Sequence, residues 1–367
     1  MKRRTFLGCG LALSVGTPLY AALRQGKLDQ AAEVLAQATA SRSVDSAVLH
    51  VRQGDTVFNR AFGQAADENA MFLLGSISKP INMTAVMTLY DQGAFQLDDP
   101  VRKYLPEFRG EGREQVTVRQ LMTHVSGLPD QLPENDALRS RHADLRAFVD
   151  QAVRTPLQFA PGTRYQYSSM AILLAARIAE LLSGTDIRML VDRAVLQPLG
   201  MKHSAQGLGR FRREEMVVCQ TERAAPESGG GSSSAKSWDW NSPYWRALGA
   251  PWGGTHASAP DVGRFLAEFL YAKGAAVKPA TARLMVSNQN PAGLTPRGRG
   301  FQIGTAAGSP GCSDRTFGHT GSTGTICWAD PATDTICVVL TSLPGRALQR
   351  HPREAAAAHV AAAAGQE

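Results

Sequence analysis

Gly75-Ser76-Ile77-Ser78-Lys79-Pro80, followed by INMTAVMTLYDQG, is the stretch that decides the fold of this chain. The apolar residues between Ile81 and Tyr90 predict a helix, and Gly93 lies where such a helix would end. Proline lacks a backbone N–H and is tolerated only in the first turn of a helix, so this helix should begin within a few residues before Pro80. Ser76 is therefore expected at its N-terminal end.

The spacing of Ser76 and Lys79 places them on neighbouring positions of one helix face. A serine hydroxyl is a poor nucleophile until a base takes its proton, and a lysine can be that base if burial or other cations lower its pKa. The helix N-terminus also offers free N–H groups to an oxyanion. Alternatively, Ser76 only caps the helix and Lys79 is solvated. Ser78 is a second candidate, but adjacent helix positions do not face each other, so Ser76 is preferred.

Composition limits the function classes. The chain has 367 residues, enough for one large composite domain or two smaller ones sharing a cleft. Hydrophobic residues at 43% and charged residues at 19% are typical of a globular protein. The net charge of +7 is mild, and no basic run alternates with aromatic residues, so nucleic-acid binding is not indicated.

Residues 1–22 are typical of an export signal. They combine the basic start Lys2-Arg3-Arg4 with an apolar run of about a dozen residues, which is too short to span a bilayer. Arg3-Arg4-Thr5-Phe6-Leu7 resembles the twin-arginine signal. We therefore expect a periplasmic or secreted protein without a stable membrane anchor; an uncleaved N-terminal helix is the alternative.

The cysteines do not indicate a metal site. Those outside the export segment are Cys219, Cys312, Cys327 and Cys337, and none has C-x-x-C spacing. No metal or other cofactor is expected. A hairpin centred on Ala332 would place Cys327 directly opposite Cys337, which allows a cross-strand disulfide, although two small buried side chains are favoured.

Predicted strands lie near both ends of the chain and predicted helices lie in the middle. The strands cover residues 46–51, 56–63, 300–304, 324–328 and 335–341, and the terminal helices cover 27–39 and 346–364. This order predicts an α+β fold, in which one antiparallel sheet from both termini is flanked by the terminal helices. We assign 27–75 and 257–345 to the sheet lobe, 76–256 to a mostly helical lobe and 346–367 to the last helix and tail. Ser76 then lies at the boundary between lobes, where ligand sites are common.

The segment 207–257 has an unusual composition. A low-complexity run, ESGGGSSSAK, precedes a cluster of aromatic residues: Trp238, Trp240, Tyr244, Trp245 and Trp252. A flexible surface loop held down by packed aromatic residues is the modestly favoured interpretation. The alternative is that some of them line an apolar substrate pocket.

Two further motifs carry chemistry. Tyr167 lies at a turn directly before an apolar helix predicted over 168–182, and a phenol near the Lys79 cation could serve as general base and acid. The alternative is a half-buried tyrosine with a satisfied hydroxyl. The stretch 318–324, GHTGSTG, leads into a strand, and its glycines would let backbone N–H groups approach a substrate; a β-bulge or tight turn is the alternative.

Taken in order, these motifs resemble the serine β-lactamase-related hydrolases, which include class C β-lactamases, D-alanyl-D-alanine carboxypeptidases, D-aminopeptidases and β-lactamase-like esterases. The family motifs S-x-x-K, Y-x-N and K/H-T-G correspond to Ser76–Lys79, Tyr167–Ser169 and His319–Gly321. The stretch 121–129, LMTHVSGLP, resembles the family's L-L-T-H-T-S-G-L-P, and the resemblance covers roughly residues 30 to 345. It implies a β-lactamase/transpeptidase-like fold.

The resemblance also implies roles for individual residues. Ser76 would be the nucleophile that forms the acyl-enzyme, Lys79 its proton partner and Tyr167 the general base. The N–H groups of Ser76 and Ser322 would form the oxyanion hole. The residues that would contact the substrate or leaving group are Ser169, His319, Thr320 and Gly321.

Two positions depart from the family pattern. Ser169 stands where asparagine is usual, so an amide donor is replaced by a shorter hydroxyl. His319 replaces the lysine of class C enzymes, and a histidine is only partly charged near neutral pH, which weakens recognition of an anionic substrate. We therefore expect an exported hydrolase of a small-molecule or peptide substrate with an ester, amide or D-amino-acid peptide bond. A class C-like β-lactamase and a non-catalytic penicillin- or peptidoglycan-binding module are the alternatives.

Overall fold

A six-stranded antiparallel sheet in the order β2-β1-β9-β8-β7-β6 forms the centre of the computed structural model, which describes residues 25–365. The strands are β1 (Ser46–Gln53), β2 (Thr56–Gly63), β3 (Phe72–Leu73), β4 (Ser204–Gln206), β5 (Thr255–Ala257), β6 (Gln302–Ile303), β7 (Phe317–Gly321), β8 (Thr325–Asp330) and β9 (Thr335–Thr341). β3, β5 and β4 form a second, small sheet. The predicted export signal lies outside the described residues.

Three of the helices cover the faces of the large sheet. The α-helices are α1 (Gln25–Ala40), α2 (Ser78–Asp91), α3 (Val118–Met122), α4 (Asn135–Ser140), α5 (Leu145–Ala152), α6 (Ser169–Ser183), α7 (Ile187–Val191), α8 (Pro243–Leu248), α9 (Ala259–Leu270), α10 (Pro279–Met285) and α11 (Pro352–Ala364). α1 and α11 pack on one face of the sheet and α9 on the other. Between residues 25 and 365, none of the helices is both long and apolar enough to cross a bilayer. The predicted α+β architecture, with a sheet built from both ends of the chain, is confirmed.

α2 begins and ends where the sequence predicts. Its first residue is Ser78, two positions before Pro80, and Gly93 has the left-handed φ of 77° that glycine adopts most readily after a helix. Every residue from Ser78 to Leu89 is buried. Because α2 is surrounded by protein on all sides, the residues at its N-terminus have a fixed position.

The two faces of the large sheet pack into different hydrophobic clusters, and Cys327 and Cys337 lie on opposite faces. Cys327 packs with the cluster around α2 and α9, whereas Cys337 packs with α1 and α11 on the other face. Cys337 is paired across the strands with Trp328, and Cys327 with Val338. The predicted placement of the two cysteines directly opposite each other is wrong by one residue, because the hairpin loop has an even number of residues. Both are buried free thiols, as the favoured alternative predicts.

Two other predictions are wrong: the start of the last helix and the structure of the glycine-rich stretch around His319. The last helix begins at Pro352 rather than at residue 346, because a proline fits only the first turn and the residue before it is extended. The stretch His319–Gly321 is part of strand β7 rather than a turn before a strand. The glycines of β7 let neighbouring backbone approach closely. A Cβ on Gly318 would lie 2.1 Å from the Cys327 carbonyl oxygen, and one on Gly321 would lie 2.1 Å from the Leu74 carbonyl oxygen.

Asp261 in α9 connects this helix to the small sheet. Its buried carboxylate accepts hydrogen bonds from the His203 amide at 2.6 Å and the Ser204 hydroxyl at 2.9 Å. We predict that Asp261→Ala lowers the free energy of unfolding by about 2–4 kcal/mol, because it leaves the buried Ser204 hydroxyl and the partly buried His203 amide without an acceptor. Urea unfolding measures the change.

Asp98→Ala is the matched control. Both aspartates pair with an arginine, Asp261 with Arg264 and Asp98 with Arg119 at 2.7 Å, but the Asp98 side chain is 73% exposed. Its loss should cost less than about 1 kcal/mol. Equal losses in the two variants would contradict the structural role of Asp261.

Candidate active site

Ser76 lies in a 3₁₀ turn, Gly75–Ile77, that runs directly into α2. Its hydroxyl oxygen is 3.1 Å from the Lys79 Nζ, and the same Nζ donates a hydrogen bond of 3.0 Å to the carbonyl of Trp252. Ser76 is partly exposed, whereas Lys79 is completely buried. A solvent-facing hydroxyl is thus held against an amine that water does not reach.

Burial changes the protonation of Lys79. Burial, opposed by the Asp130 carboxylate and assisted by the nearby Arg297 guanidinium, lowers the pKa of the amine to about 7. A substantial fraction of neutral amine is therefore present near neutral pH. This is the property that a lysine needs to accept a proton from Ser76.

The alternative nucleophile, Ser78, has a structural role. It is fully buried, and its hydroxyl accepts a hydrogen bond of 2.9 Å from the Thr255 amide. This bond connects the start of α2 to β5. Ser78 therefore does not face the space in front of Ser76.

Tyr167 lies beside this pair. The Lys79 Nζ is 4.6 Å from the centre of its ring. The Tyr167 hydroxyl is buried and lacks a hydrogen bond of normal geometry within residues 25–365, although the Ser76 hydroxyl is close enough to favour the phenolate. Burial outweighs the effects of Ser76 and Arg297 and raises the pKa of Tyr167 well above its ordinary value. In the resting site Tyr167 is therefore a phenol, which can donate a proton.

The stretch 124–130 positions the segment that carries Tyr167. The His124 Nδ1 accepts a hydrogen bond of 3.1 Å from the Ser168 amide, and its ring centre lies 4.6 Å from that of Tyr167. The Asp130 carboxylate accepts one of 2.8 Å from the Ser169 amide. His124 and Asp130 thus hold the two residues that directly follow the tyrosine.

His319 on β7 is neutral, contrary to the expectation of a partly charged residue. Its Nδ1 donates to the carbonyl of Thr320 at 2.7 Å, and its Nε2 accepts from the Arg297 guanidinium at 3.3 Å. Burial, Arg297 and Lys79 hold the pKa of His319 well below its usual value. The positive charge beside His319 is carried by Arg297, which lies behind it.

The turn after β7 comes close to the backbone directly before Ser76. A Cβ placed on Gly75 would lie 3.1 Å from the Ser322 nitrogen. The turn is held there by the Thr323 hydroxyl, which donates to the Leu73 carbonyl at 2.6 Å. Ser76 and Ser322 both line one cavity, as a shared oxyanion hole would require.

One cavity of about 470 Å³ connects these groups. The residues with sequence-predicted roles that line it are Ser76, Tyr167, Ser169, His319, Thr320, Gly321 and Ser322. Lys79 lies beneath it and reaches the cavity through Ser76. Trp240, Trp245 and Trp252 also line it, so the interpretation of this segment as a pocket wall is correct for three of its aromatic residues.

Sequence reasoning missed three polar residues near the cavity. Asp130 directly follows the LMTHVSGLP motif and could have been noticed there. Arg139 and Arg297 lie in stretches without a motif. Both arginines are 3% exposed, and a buried arginine cannot be told from a surface one by its sequence context alone.

The effect of Arg297 on the pKa of Lys79 can be tested by substitution. Only neutral Lys79 can accept the Ser76 proton, so the rate at which a fluorophosphonate probe labels Ser76 should fall about tenfold per pH unit below about pH 7. Arg297→Met removes a cation that lowers the pKa of Lys79. We predict that this acid limb moves to higher pH in the variant.

Arg299→Met is the control for the Arg297 variant. Arg299 is equally buried and carries the same charge, but it does not act on the pKa of Lys79. Its removal should leave the acid limb in place. An acid limb that is the same in wild type and Arg297→Met would contradict the role assigned to Arg297.

Comparison with known proteins agrees with this geometry. The chain is 36% identical over 183 residues to an esterase, EstB of Burkholderia gladioli, covering 44% of this chain and 46% of that protein. It is 30% identical over 168 residues to penicillin-binding protein 4* of Bacillus subtilis, covering 43% and 37%. The matches thus span less than half the length of these curated relatives.

Similarity of structure extends further along the chain. The D-amino acid amidase of Ochrobactrum anthropi superposes with a TM-score of 0.72 at 20% identity, covering 92% of this chain and 98% of that one, which shows a shared fold. The model of the Beta-lactamase family matches residues 31–362. With nearly the whole described chain covered, the protein belongs to the Beta-lactamase family of hydrolases.

Proposed function

We propose that this protein is a serine hydrolase that forms an acyl-enzyme on Ser76 and cleaves an ester or amide bond. The observation that carries the proposal is the 3.1 Å contact between the Ser76 hydroxyl and a Lys79 amine whose pKa is lowered to about 7. A merely capping serine would not need a buried base beside it. The similarity to an esterase and to the fold of an amidase supports the same reaction type.

The acylation step follows from the positions of the three reactive groups. Neutral Lys79 takes the Ser76 proton as the Ser76 oxygen attacks the carbonyl carbon. The N–H groups of Ser76 and Ser322 stabilise the oxyanion. The Tyr167 hydroxyl then protonates the leaving group and regains a proton from the Lys79 ammonium. The net transfer is one proton from Ser76 to the leaving group.

In deacylation, water takes the place of Ser76 as the nucleophile. Water attacks the acyl carbonyl and gives its proton to neutral Lys79, and the released Ser76 oxygen takes that proton back. Tyr167 remains a phenol throughout the resting state because of its raised pKa. We therefore assign the base function to Lys79 and the acid function to Tyr167.

The nucleophile is tested with a fluorophosphonate probe. We expect the wild type to be labelled and Ser76→Ala to lose labelling completely, because Ser76 is the serine, among residues 25–365, whose hydroxyl is hydrogen-bonded to Lys79. Ser78→Ala is the matched control, since Ser78 is the next serine along the same turn and bonds to Thr255 instead. Equal labelling of wild type and Ser76→Ala would disprove an acyl-enzyme on Ser76.

The substrate class is proposed from the two residues that differ from the family motifs, Ser169 and His319. The Ser169 hydroxyl has a shorter reach than the usual amide, and neutral His319 contributes no charge for the carboxylate of a β-lactam. Both features favour esters, simple amides or D-amino-acid peptides over β-lactams. A class C-like β-lactamase remains the second candidate, because every reactive group for that chemistry is present.

A panel of substrates distinguishes these candidates. We expect turnover of a short-chain nitrophenyl ester or of D-Ala-D-Ala peptides, with kcat/KM for a chromogenic cephalosporin at least tenfold lower. Each activity should disappear in Ser76→Ala. Fast turnover of the cephalosporin alone would assign the protein to the β-lactamases. Binding without turnover of any substrate would indicate a penicillin- or peptidoglycan-binding module.

A further inference from the structure

Arg139 is a buried cation in the wall of the cavity that contains Ser76. It lies in α4, is 3% exposed and lines the cavity together with the three tryptophans. Its Nε donates a hydrogen bond of 3.1 Å to the Asn135 side chain. Of the five N–H groups of a guanidinium, only this one has an acceptor within residues 25–365.

The aromatic residues fix the guanidinium in place. Its central carbon lies 4.1 Å from the centre of the Trp245 ring and 5.9 Å from a ring of Trp238. Trp245 packs edge-on against Trp252, whose carbonyl binds Lys79. Stacking uses the flat face of a guanidinium and leaves its edge, with the N–H groups, free to bind an anion.

Arg139 also lacks a counter-ion. No carboxylate of residues 25–365 forms an ion pair with it, and Asp136 and Glu227 raise its pKa only from a longer distance. Burial is the largest effect, and the pKa of Arg139 is lowered to about 10. It therefore remains charged at neutral pH. The Asp130 and Glu227 carboxylates line the same cavity, but Asp130 accepts the Ser169 amide and Glu227 is exposed. A buried charge without partners is costly, so such a group commonly has a ligand.

Neighbouring arginines show the contrast. Arg246 is equally buried but lies outside the cavity lining, and it donates to the carbonyls of Trp240 and Val217. Arg353 lines the cavity, but its guanidinium donates to the carbonyls of Gly321 and Thr325. Arg353 leaves only its Nε, and Arg246 only its Nη1, without an acceptor. Arg139 is thus the buried arginine of this wall, within the described residues, whose two terminal nitrogens both lack one.

We propose that Arg139 binds a carboxylate carried by the substrate, outside the bond that is cleaved. The inference rests on the proposed function, because it concerns the same cavity. The substrate class is an ester or amide with a second, anionic group, such as a half-ester of a dicarboxylic acid. A planar carboxylate matches the two parallel N–H groups on the edge of a guanidinium.

Two nitrophenyl esters of equal acyl length test the proposal. One acyl chain ends in a methyl group and the other in a carboxylate, and the readout is the ratio of their kcat/KM values. In Arg139→Met the ratio of carboxylate to methyl ester should fall about 10- to 100-fold, the range of a lost charge-assisted hydrogen bond. Arg139→Lys keeps the charge but not the paired N–H groups, so its ratio should be intermediate.

Arg246→Met is the matched control, since it removes an equally buried arginine that contacts the same tryptophan segment. Its ratio should stay within about twofold of wild type, even if the variant is less stable. A second pair of esters carries the extra carboxylate on the phenol instead of the acyl chain. A fall in either ratio supports the proposal. Unchanged ratios in both pairs overturn it and leave Arg139 as a packing partner of Trp245.

A binding measurement separates this inference from the proposed function. Ser76→Ala is titrated with the carboxylate half-ester and followed by tryptophan fluorescence, with and without Arg139→Met. At least tenfold weaker binding in the double variant supports the role of Arg139 even if the wild type hydrolyses neither ester. Equal binding, together with hydrolysis that depends on Ser76, overturns only the Arg139 inference.

Discussion

The burial of one amine, the Nζ of Lys79, is the constraint on which the site depends. α2 is enclosed by protein along its first three turns, so the lysine that lies one turn after the nucleophile cannot reach water. Removing a cation from water favours its neutral form. The same packing that makes α2 the central helix therefore produces the base. The Trp252 carbonyl and the Ser76 hydroxyl are the two groups that the amine contacts.

The charges around the cavity support this arrangement. Arg297 lies behind His319 and keeps that histidine neutral while it also favours neutral Lys79. Asp130 acts in the opposite direction on Lys79, but its carboxylate is occupied by the Ser169 amide. The site thus concentrates positive charge in buried arginines and favours the uncharged forms of Lys79, Tyr167 and His319. Positive potential at the cavity wall suits a reaction in which an oxyanion forms.

Much of the site was predictable because its parts are local or follow motifs. The relation of Ser76 to Lys79 depends on helix geometry alone, and Pro80 defines where that helix begins. Strands β1, β2 and β9 were predictable from their β-branched residues and turns. β7 was not recognised, because glycines that allow close backbone contacts also have a low strand propensity. Strands β3, β4 and β5 have only two or three residues, which is too short for any periodic pattern.

The sequence by itself determined the pairing of Ser76 with Lys79, on which the proposed nucleophile rests, and the α+β order of elements, because each depends on residues near one another in the chain. Only the tertiary structure decided the protonation of Lys79, Tyr167 and His319, since their pKa values depend on burial and on charges that the fold brings together. It also decided that Arg139 lines the cavity while Arg297, 158 positions later in the chain, is buried behind His319 in its wall. A side chain's distance to a remote charge is a property of packing, and no local pattern of residues encodes it.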